Sequence, residues 1–357
     1  MTTAIRIEVL PARMGDCLLV ECPREQGRPW RMLVDGGPPD TWPLLLARLQ
    51  RLPADDRHLD VVVVTHIDSD HIGGMIPFLD SEFADEVGDF WFNGRTHLPG
   101  DPIRSVSQGE SLVAALIDQP SARTRPWNLA FGGGPIDTGE EAGFLDLAPV
   151  DGGPRVTVLS PTTKRLTALA AAWYETVEAA KRGPGEGTPD VLEPLDDLAA
   201  VAAQESPRDA SVPNGSSIAL LLEHRGASVV LGADAFGTVL GAGLAGVAAA
   251  RGLDTLPVDA FKLPHHGSKS NVIDAMLRVA PAQHYLVSSN GDIFHHPDDA
   301  ALARVVTTRP GATLWFNYRT ARTERWTDPG LSGRYGYDTR LPDDPDAGCV
   351  LELPAVP

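Results

Sequence analysis

Cysteine, long apolar runs and cationic side chains are all scarce in this chain of 357 residues. Its 3 cysteines (Cys17, Cys22, Cys349) are too few for a disulfide framework, and the Cys17/Cys22 pair has no companions to complete a structural zinc site. A reducing, cytoplasmic setting is the simpler inference. The apolar runs are short and punctuated, so no membrane-spanning stretch is expected. Met1 to Arg6 lacks a basic segment leading into a long apolar run, so no secretory signal is expected either. Lys and Arg number 30 against 48 Asp and Glu, a net charge of −18, which works against a long nucleic-acid partner because such binding draws on cationic side chains. There is no Gly-x-Ser-x-Gly elbow and no Gly-rich phosphate loop ending in Lys-Ser/Thr, so neither a serine nucleophile of that type nor a P-loop is indicated.

What is present is the loop Thr65-His66-Ile67-Asp68-Ser69-Asp70-His71-Ile72-Gly73-Gly74, which packs two imidazoles and two carboxylates into a few positions. It follows Leu59 to Val64, whose four consecutive valines read as a buried central strand, since β-branched side chains fit a pleat covered on both faces. Open α/β sheets place ligands beyond the carboxyl ends of such strands. A lone Asp or His in a loop is usually a turn former or a helix cap. Asp70 is placed to cap a helix running through Ile72 to Phe78, but capping explains one carboxylate and neither histidine. Mixed His and carboxylate donors are the usual composition of a metal site.

Other stretches follow in order. Arg13 to Val20 and Met32 to Gly37 read as opening strands, the second ending in Asp35-Gly36-Gly37, which taken alone is a common turn signal. Pro213 to Leu222 and Ala227 to Asp234 read as two adjacent strands. Phe261 to Leu263 leads into Pro264-His265-His266-Gly267-Ser268, and Ser288-Ser289-Asn290 and His295-His296-Pro297 come later.

In this order the stretches resemble the metallo-β-lactamase superfamily, whose signature loop is His-x-His-x-Asp-His followed by small residues; Asp68 stands where the second histidine would. That replacement resembles one branch in particular, the soluble hydrolase domain of ComEC-type competence DNA-uptake proteins and its free-standing relatives. The resemblance covers most of the chain. It implies an α/β (α+β) fold, two packed β-sheets flanked by helices in an αββα four-layer sandwich, with two divalent cations, Zn²⁺ or Mn²⁺, at one edge. It further implies His66, Asp68 and Asp234 around one cation and Asp70, His71, Asp234 and His265 around the second, with Asp234 bridging and Asp35 orienting the loop. Sequence does not separate adjacent histidines, so His266 is the alternative ligand or a substrate-side acid. Asn214 lies near where many members supply another histidine; with Ser216 and Ser217 it contacts substrate or water, an Asn-Gly turn being the equal alternative. His296 orients a phosphate or protonates a leaving group, or else simply precedes a helix starting at Asp298-Asp299.

Two such cations polarise a phosphoryl or carbonyl oxygen and share a deprotonated water as nucleophile. The expected activity is that of a phosphodiesterase or nuclease. Hydrolysis of a small ester, thioester or lactone is the alternative, as is a partner-gated component of a defence or stress system. The acidic composition favours a short phosphodiester over long duplex DNA, met locally by cations among Arg95, Arg104, Arg123, Arg125, Lys262 and Lys269. The expected organisation is one domain over residues 1–357 with insertions at about 94–153, rich in Gly, Pro and Asp, and 161–212. The second carries a helix from Pro161 to Arg182, with Leu166, Leu169, Ala170, Trp173 and Val177 at helical spacing, and a second helix over Leu192 to Gln204. Its apolar stripe is read as core or a helix-pair contact, with a homo-oligomer or protein partner as the sharper alternative. Further helices are expected over Ala235 to Arg251 and Asp298 to Val306, with late strands at Thr313 to Asn317 and Cys349 to Leu353.

Overall fold

Apolar side chains on both faces of the strands build two sheets packed back to back. The computed structural model of the chain describes residues 2–99, 125–148, 150, 152–344 and 346–356; Arg104 and Arg123 lie outside them. The first sheet holds β1 (Thr3–Val9), β2 (Leu18–Cys22), β3 (Trp30–Val34), β4 (Leu59–Val63), β5 (Val87–Trp91) and β14 (Cys349–Pro354), in the order β14-β1-β2-β3-β4-β5. The second runs β13-β12-β11-β10-β9-β8-β7-β6, from β6 (Leu145–Asp146), β7 (Arg155–Ser160), β8 (Ala219–His224) and β9 (Ala227–Leu231) to β10 (Val258–Lys262), β11 (Ala282–Val287), β12 (Thr313–Phe316) and β13 (Asp338–Arg340). Strands β3, β4 and β5 are mutually parallel, as are β9 to β13.

The valines of β4 show why that strand reads as central. Val61 and Val63 join Met32, Val34, Leu220 and Val229 in the core between the sheets, while Val62 and Val64 join Leu45, Phe78 and Phe90 in the core beneath the outer helices. Helices Trp42–Gln50, Met75–Leu79 and Thr163–Arg182 cover the first sheet, and helices Gly237–Ala250, Asp274–Val279 and Asp299–Thr308 cover the second. The result is the expected αββα layering. In the long helix Thr163–Arg182, Leu166, Leu169, Trp173 and Val177 are buried in the first sheet's outer core, so the stripe is covered by the chain itself. Among the described residues no helix is long and apolar enough to cross a membrane.

Two expected elements differ. Pro213 to Ile218 is not strand: Val212–Gly215 form a helical turn capped by the Ser211 side chain, with Pro213 in the first turn, where its missing N–H costs nothing, and β8 begins at Ala219. The helix over Leu192 to Gln204 contracts to Leu198–Ala202, capped by the Asp197 carboxylate. Pro194 explains this, because it disfavours the helical conformation in the residue before it.

Candidate metal centre

Parallel pairing brings the carboxyl ends of β3 and β4 together in one sheet and those of β9, β10 and β11 in the other, and the chemistry-bearing residues lie just beyond them. Asp35 follows β3, the His/Asp loop follows β4, Asp234 follows β9, His265 and His266 follow β10, and Ser288 follows β11. The loop packs against Gly15 and Gly36: a Cβ on Gly15 would sit 1.7 Å from the Asp70 carbonyl oxygen, and one on Gly74 would sit 2.1 Å from that of Gly36. Left-handed backbone at Asp35 (φ 57°), Ala233 (45°), His265 (48°) and His266 (53°) concentrates strain around the same edge.

Asp35 is fully buried and sets the protonation of two histidines. Its Oδ1 accepts from Thr65 N at 2.7 Å; its Oδ2 accepts from Thr65 Oγ1 at 2.7 Å and from His71 Nδ1 at 2.8 Å. Because the Thr65 hydroxyl gives its proton to Asp35, it accepts from His66 Nδ1 at 3.0 Å. In their neutral forms His66 and His71 therefore carry the proton on Nδ1 and turn an unprotonated Nε2 inward. His66 Nε2 is buried with no hydrogen-bond partner.

His266 is held in the same way from the other sheet, its Nδ1 donating to the Ser288 carbonyl at 2.9 Å. Its Nε2 then meets His71 Nε2 at 3.2 Å. Two nitrogen lone pairs facing each other repel unless a proton or a cation lies between them. Carboxylates surround the pair: Asp234 oxygens lie 3.5 Å from His71 Nε2 and 3.4 Å from His266 Nε2, and Asp70 Oδ2 lies 3.9 and 3.6 Å away. Asp234 Oδ1 is a further buried atom without a hydrogen-bond partner. Ligand atoms within 4.8 Å of one another group His66, His71 and Asp234, and likewise Asp70, His71 and His266.

The electrostatics follow from this crowding. Burial opposes a charge on His71, but Asp234, Asp35 and Asp70 outweigh it and hold its pKa well above the usual value. Burial likewise opposes a charge on His266, yet Asp234 and Asp16 bring its pKa up to about 9. The Asp234 carboxyl, though buried, is held well below its ordinary range by His266, His71 and His265.

Of the expected site residues, His66, Asp70, His71, Asp234 and His266 converge most closely. Of His265, expected as a metal ligand, and His266, its alternative, it is His266 that lies nearer His71. Consecutive left-handed residues set the two rings at 72°, and only His266 approaches His71. His265 Nε2 still faces Asp234 Oδ2 at 3.8 Å, while its Nδ1 lies 3.0 Å from Asn271 Oδ1 and 3.3 Å from Asp209 Oδ2. Asp68 borders the group, 3.5 Å from His66 Nε2, and makes no capping bond at the start of the short helix Ser69–Ile72. Asn214 turns its amide to Asp209 at 2.8 Å, so it braces the carboxylate behind His265. His296 stacks near His266 and Phe294, and burial lowers its pKa to about 4, which leaves it neutral rather than a ready proton donor.

Among the cations expected to meet a phosphate, Lys262 is not available: it shares the inward face of β10 with Ala260 and pairs with Asp16, both side chains buried. Arg125 is pinned to the Leu79 carbonyl at 2.7 Å, Arg95 sits half-buried in a short 3₁₀ turn, and Lys269 is half-buried. Asp16, Thr65, Asp209 and Asn271 were not foreseen as parts of the site. A lysine ending a strand whose Val258, Ala260 and Phe261 are buried was the signal that a buried carboxylate had to exist to meet it.

A family model described as the metallo-beta-lactamase superfamily matches residues 11–89, the segment from before β2 through the His/Asp loop. No curated protein sequence matches the chain. Among solved structures, the metallo-beta-lactamase fold protein YhfI from Bacillus subtilis is similar at 11% identity, covering 98% of this chain and 99% of that one with a TM-score of 0.40. Zn(2+)-bound PqqB from Methylobacterium extorquens is similar at 12% identity over 98% of this chain and 100% of its own, with a TM-score of 0.44. MEM-A1, a subclass B3 metallo-beta-lactamase from a soil metagenome library, is similar at 13% identity over 73% and 76%, with a TM-score of 0.28. With the family's model matched across the loop, two sheets flanked by helices and a His/Asp-rich edge give this chain the metallo-β-lactamase fold.

Proposed function

We propose that this protein is a metal-dependent hydrolase with a dinuclear centre, acting as a phosphodiesterase or nuclease on short substrates. The observation that carries the metal reading is the facing Nε2 atoms of His71 and His266 at 3.2 Å, each ring donating its Nδ1 proton elsewhere. The bare His66 Nε2 and Asp234 Oδ1 support it, since buried polar atoms without partners call for a ligand. In this reading Asp70, His71, Asp234 and His266 hold one cation, and His66, Asp68 and Asp234 hold the other. His donors with several carboxylate oxygens suit zinc and manganese alike. Bound divalent cations supply Lewis acidity toward a phosphoryl oxygen and lower the pKa of water from about 15.7 toward neutrality.

The chain's own residues do the positioning. Asp35 and Thr65 accept the Nδ1 protons of His71 and His66, so that in each neutral ring the inward Nε2 is the unprotonated atom. Asn271 and Asp209 hold the Nδ1 side of His265, leaving its Nε2 toward Asp234. The phosphodiester preference draws on Asp68 in the loop and on His265-His266-Gly267-Ser268, the two features most similar to the competence-protein branch. The net charge of −18 favours a second reading, hydrolysis of a small ester or lactone on the same centre.

Metal content by plasma mass spectrometry and turnover of bis(p-nitrophenyl) phosphate against p-nitrophenyl acyl esters test both. Two equivalents of metal with diester cleavage that disappears in Asp70→Ala is the expected result. Acyl turnover alone, with two cations verified bound, would transfer the proposal to the second reading, and a chain that binds no divalent cation would refute both.

A further inference from the structure

A second cleft, of about 480 Å³, opens beside the centre. It shares a wall with it: Asp209 lines the cleft and reaches His265 at 3.3 Å, and Phe236 and Gly237, also in the wall, come directly after the Asp234 turn. Four cations, Arg165, Arg208, Lys269 and Arg304, face three carboxylates here, Glu205, Asp209 and Asp274, in a chain whose net charge is −18. The local excess therefore has the opposite sign to the molecule.

The partners of these groups sharpen the contrast. Asp209 already accepts from Asn214 at 2.8 Å and Asn271 at 3.0 Å, which with His265 keep its carboxyl at about 2 despite burial, and Asp274 pairs with Arg278 at 3.1 Å. Arg304 donates to the carbonyls of Ala202, Gln204, Lys269 and Val272 and so builds the wall while keeping its charge. Arg165 and Arg208 form no ion pair among the described residues, and Lys269 has Asp298 as an electrostatic neighbour through its backbone bond rather than as a contact ion pair. The Arg165 guanidinium lies over the Phe236 ring at 4.5 Å, which orients its plane and leaves its N–H edge for an acceptor. Three cations without an ion-pair contact among the described residues, one of them held over an aromatic ring, suit an oxyanion with several acceptor oxygens.

We propose that this cleft binds a phosphate-class oxyanion next to the metal centre, through Arg165, Arg208 and Lys269. The phosphodiesterase reading enters only in naming the source, a second phosphate on the substrate; free inorganic phosphate is the other source of the same chemistry. Titrating the metal-stripped full-length chain with inorganic phosphate by calorimetry isolates the cleft from the cations, with circular dichroism confirming that the stripped chain and its variant stay folded. Replacing Arg208→Gln and Lys269→Gln together removes two charge-assisted contacts and weakens phosphate binding by about tenfold or more. Equal affinity in wild type and double variant, or no binding by the wild type, overturns the proposal whatever the enzyme turns over.

The source is read on the metal-loaded enzyme, as the ratio of kcat/KM for a p-nitrophenyl diester with a second, terminal phosphate to that for the same diester without it. A wild-type preference of about tenfold that collapses in the double variant assigns the cleft to substrate. No preference, with cation-dependent phosphate binding retained, assigns it to free phosphate. Should no diester be cleaved at all, the calorimetric result still decides the cleft, and the failure belongs to the phosphodiesterase reading alone.

Discussion

Replacing Asp35 with asparagine changes one atom and reverses the logic of the loop. Asp35 accepts three hydrogen bonds, from Thr65 N, Thr65 Oγ1 and His71 Nδ1, in a fully buried position. Asparagine tolerates the left-handed backbone at φ 57° as aspartate does, so the variant adds no backbone strain. If the amide oxygen keeps the bond from Thr65 N, the NH₂ group faces the Thr65 hydroxyl and His71 Nδ1, where acceptors are now required. The hydroxyl rotates and accepts, and its own proton, which has lost the carboxylate it was given to, turns toward His66 Nδ1 at 3.0 Å. His71 must move its proton to Nε2, the atom that faces His266 and Asp234. Both inward nitrogens thus lose the tautomer that a cation requires. Partners of metal-bound histidines are worth about 10–100-fold in affinity, and because one change reaches two histidines, the upper end is expected. Loss of a buried charged acceptor costs about 1.5–3 kcal/mol of stability besides. Competition for zinc against a chromophoric chelator reads the affinity and urea unfolding of the stripped protein reads the stability. Asp35→Asn with wild-type zinc affinity would refute the tautomer argument, even if the variant were less stable.

Two further outcomes rest on the same geometry. His266 has a pKa raised to about 9, and His71 and His265 also lie above 6.5, because Asp234 and neighbouring carboxylates outweigh the opposing effect of burial. The folded, metal-stripped protein therefore binds these protons more tightly than the unfolded chain. That stabilisation is complete below about pH 6.5 and is lost as pH rises through about 9. Since metal requires the neutral rings, the rise in Tm on adding zinc grows over the same window; a stripped-protein Tm that stays flat or climbs from pH 6.5 to 9 would contradict this. At the base of the site, Asp16→Asn leaves Lys262 buried without its counter-ion, which costs about 3–5 kcal/mol in urea unfolding, whereas Asp16→Asn with Lys262→Met recovers most of it. A double variant no more stable than the single one would show that the pair is not an isolated ionic contact.

How much of this was legible in the sequence depended on the distance over which each residue finds its partner. Four valines are buried from both sides, and the density of donors in the loop after β4 is a local property, so strand, loop and three of the inward residues, His66, Asp70 and His71, could be read without a fold. Asp234 was readable because an apolar strand delivers it to the same sheet edge as β10. Which of His265 and His266 lies nearer His71 was not. Periodic reasoning assumes helical or extended backbone, and both residues adopt left-handed φ, which decouples ring direction from sequence parity. Asp16 and Lys262 are 246 positions apart and meet only because β2 and β10 belong to sheets packed face to face, so no spacing rule connects them. Asn214 looked like a substrate contact because it lies near the loop in family order, but Asp209, five residues earlier and beyond any motif, offers its amide a charged acceptor, and a charged hydrogen bond outweighs a neutral one. The pattern is physical. Residues that touch the metal position are crowded onto strand ends and announce themselves, whereas those that fix the protons and charges behind them are supplied from wherever the packed sheets pass close by. The second group decides whether the first can bind a cation at all, which is why Asp35→Asn tests the site more sharply than removal of a ligand.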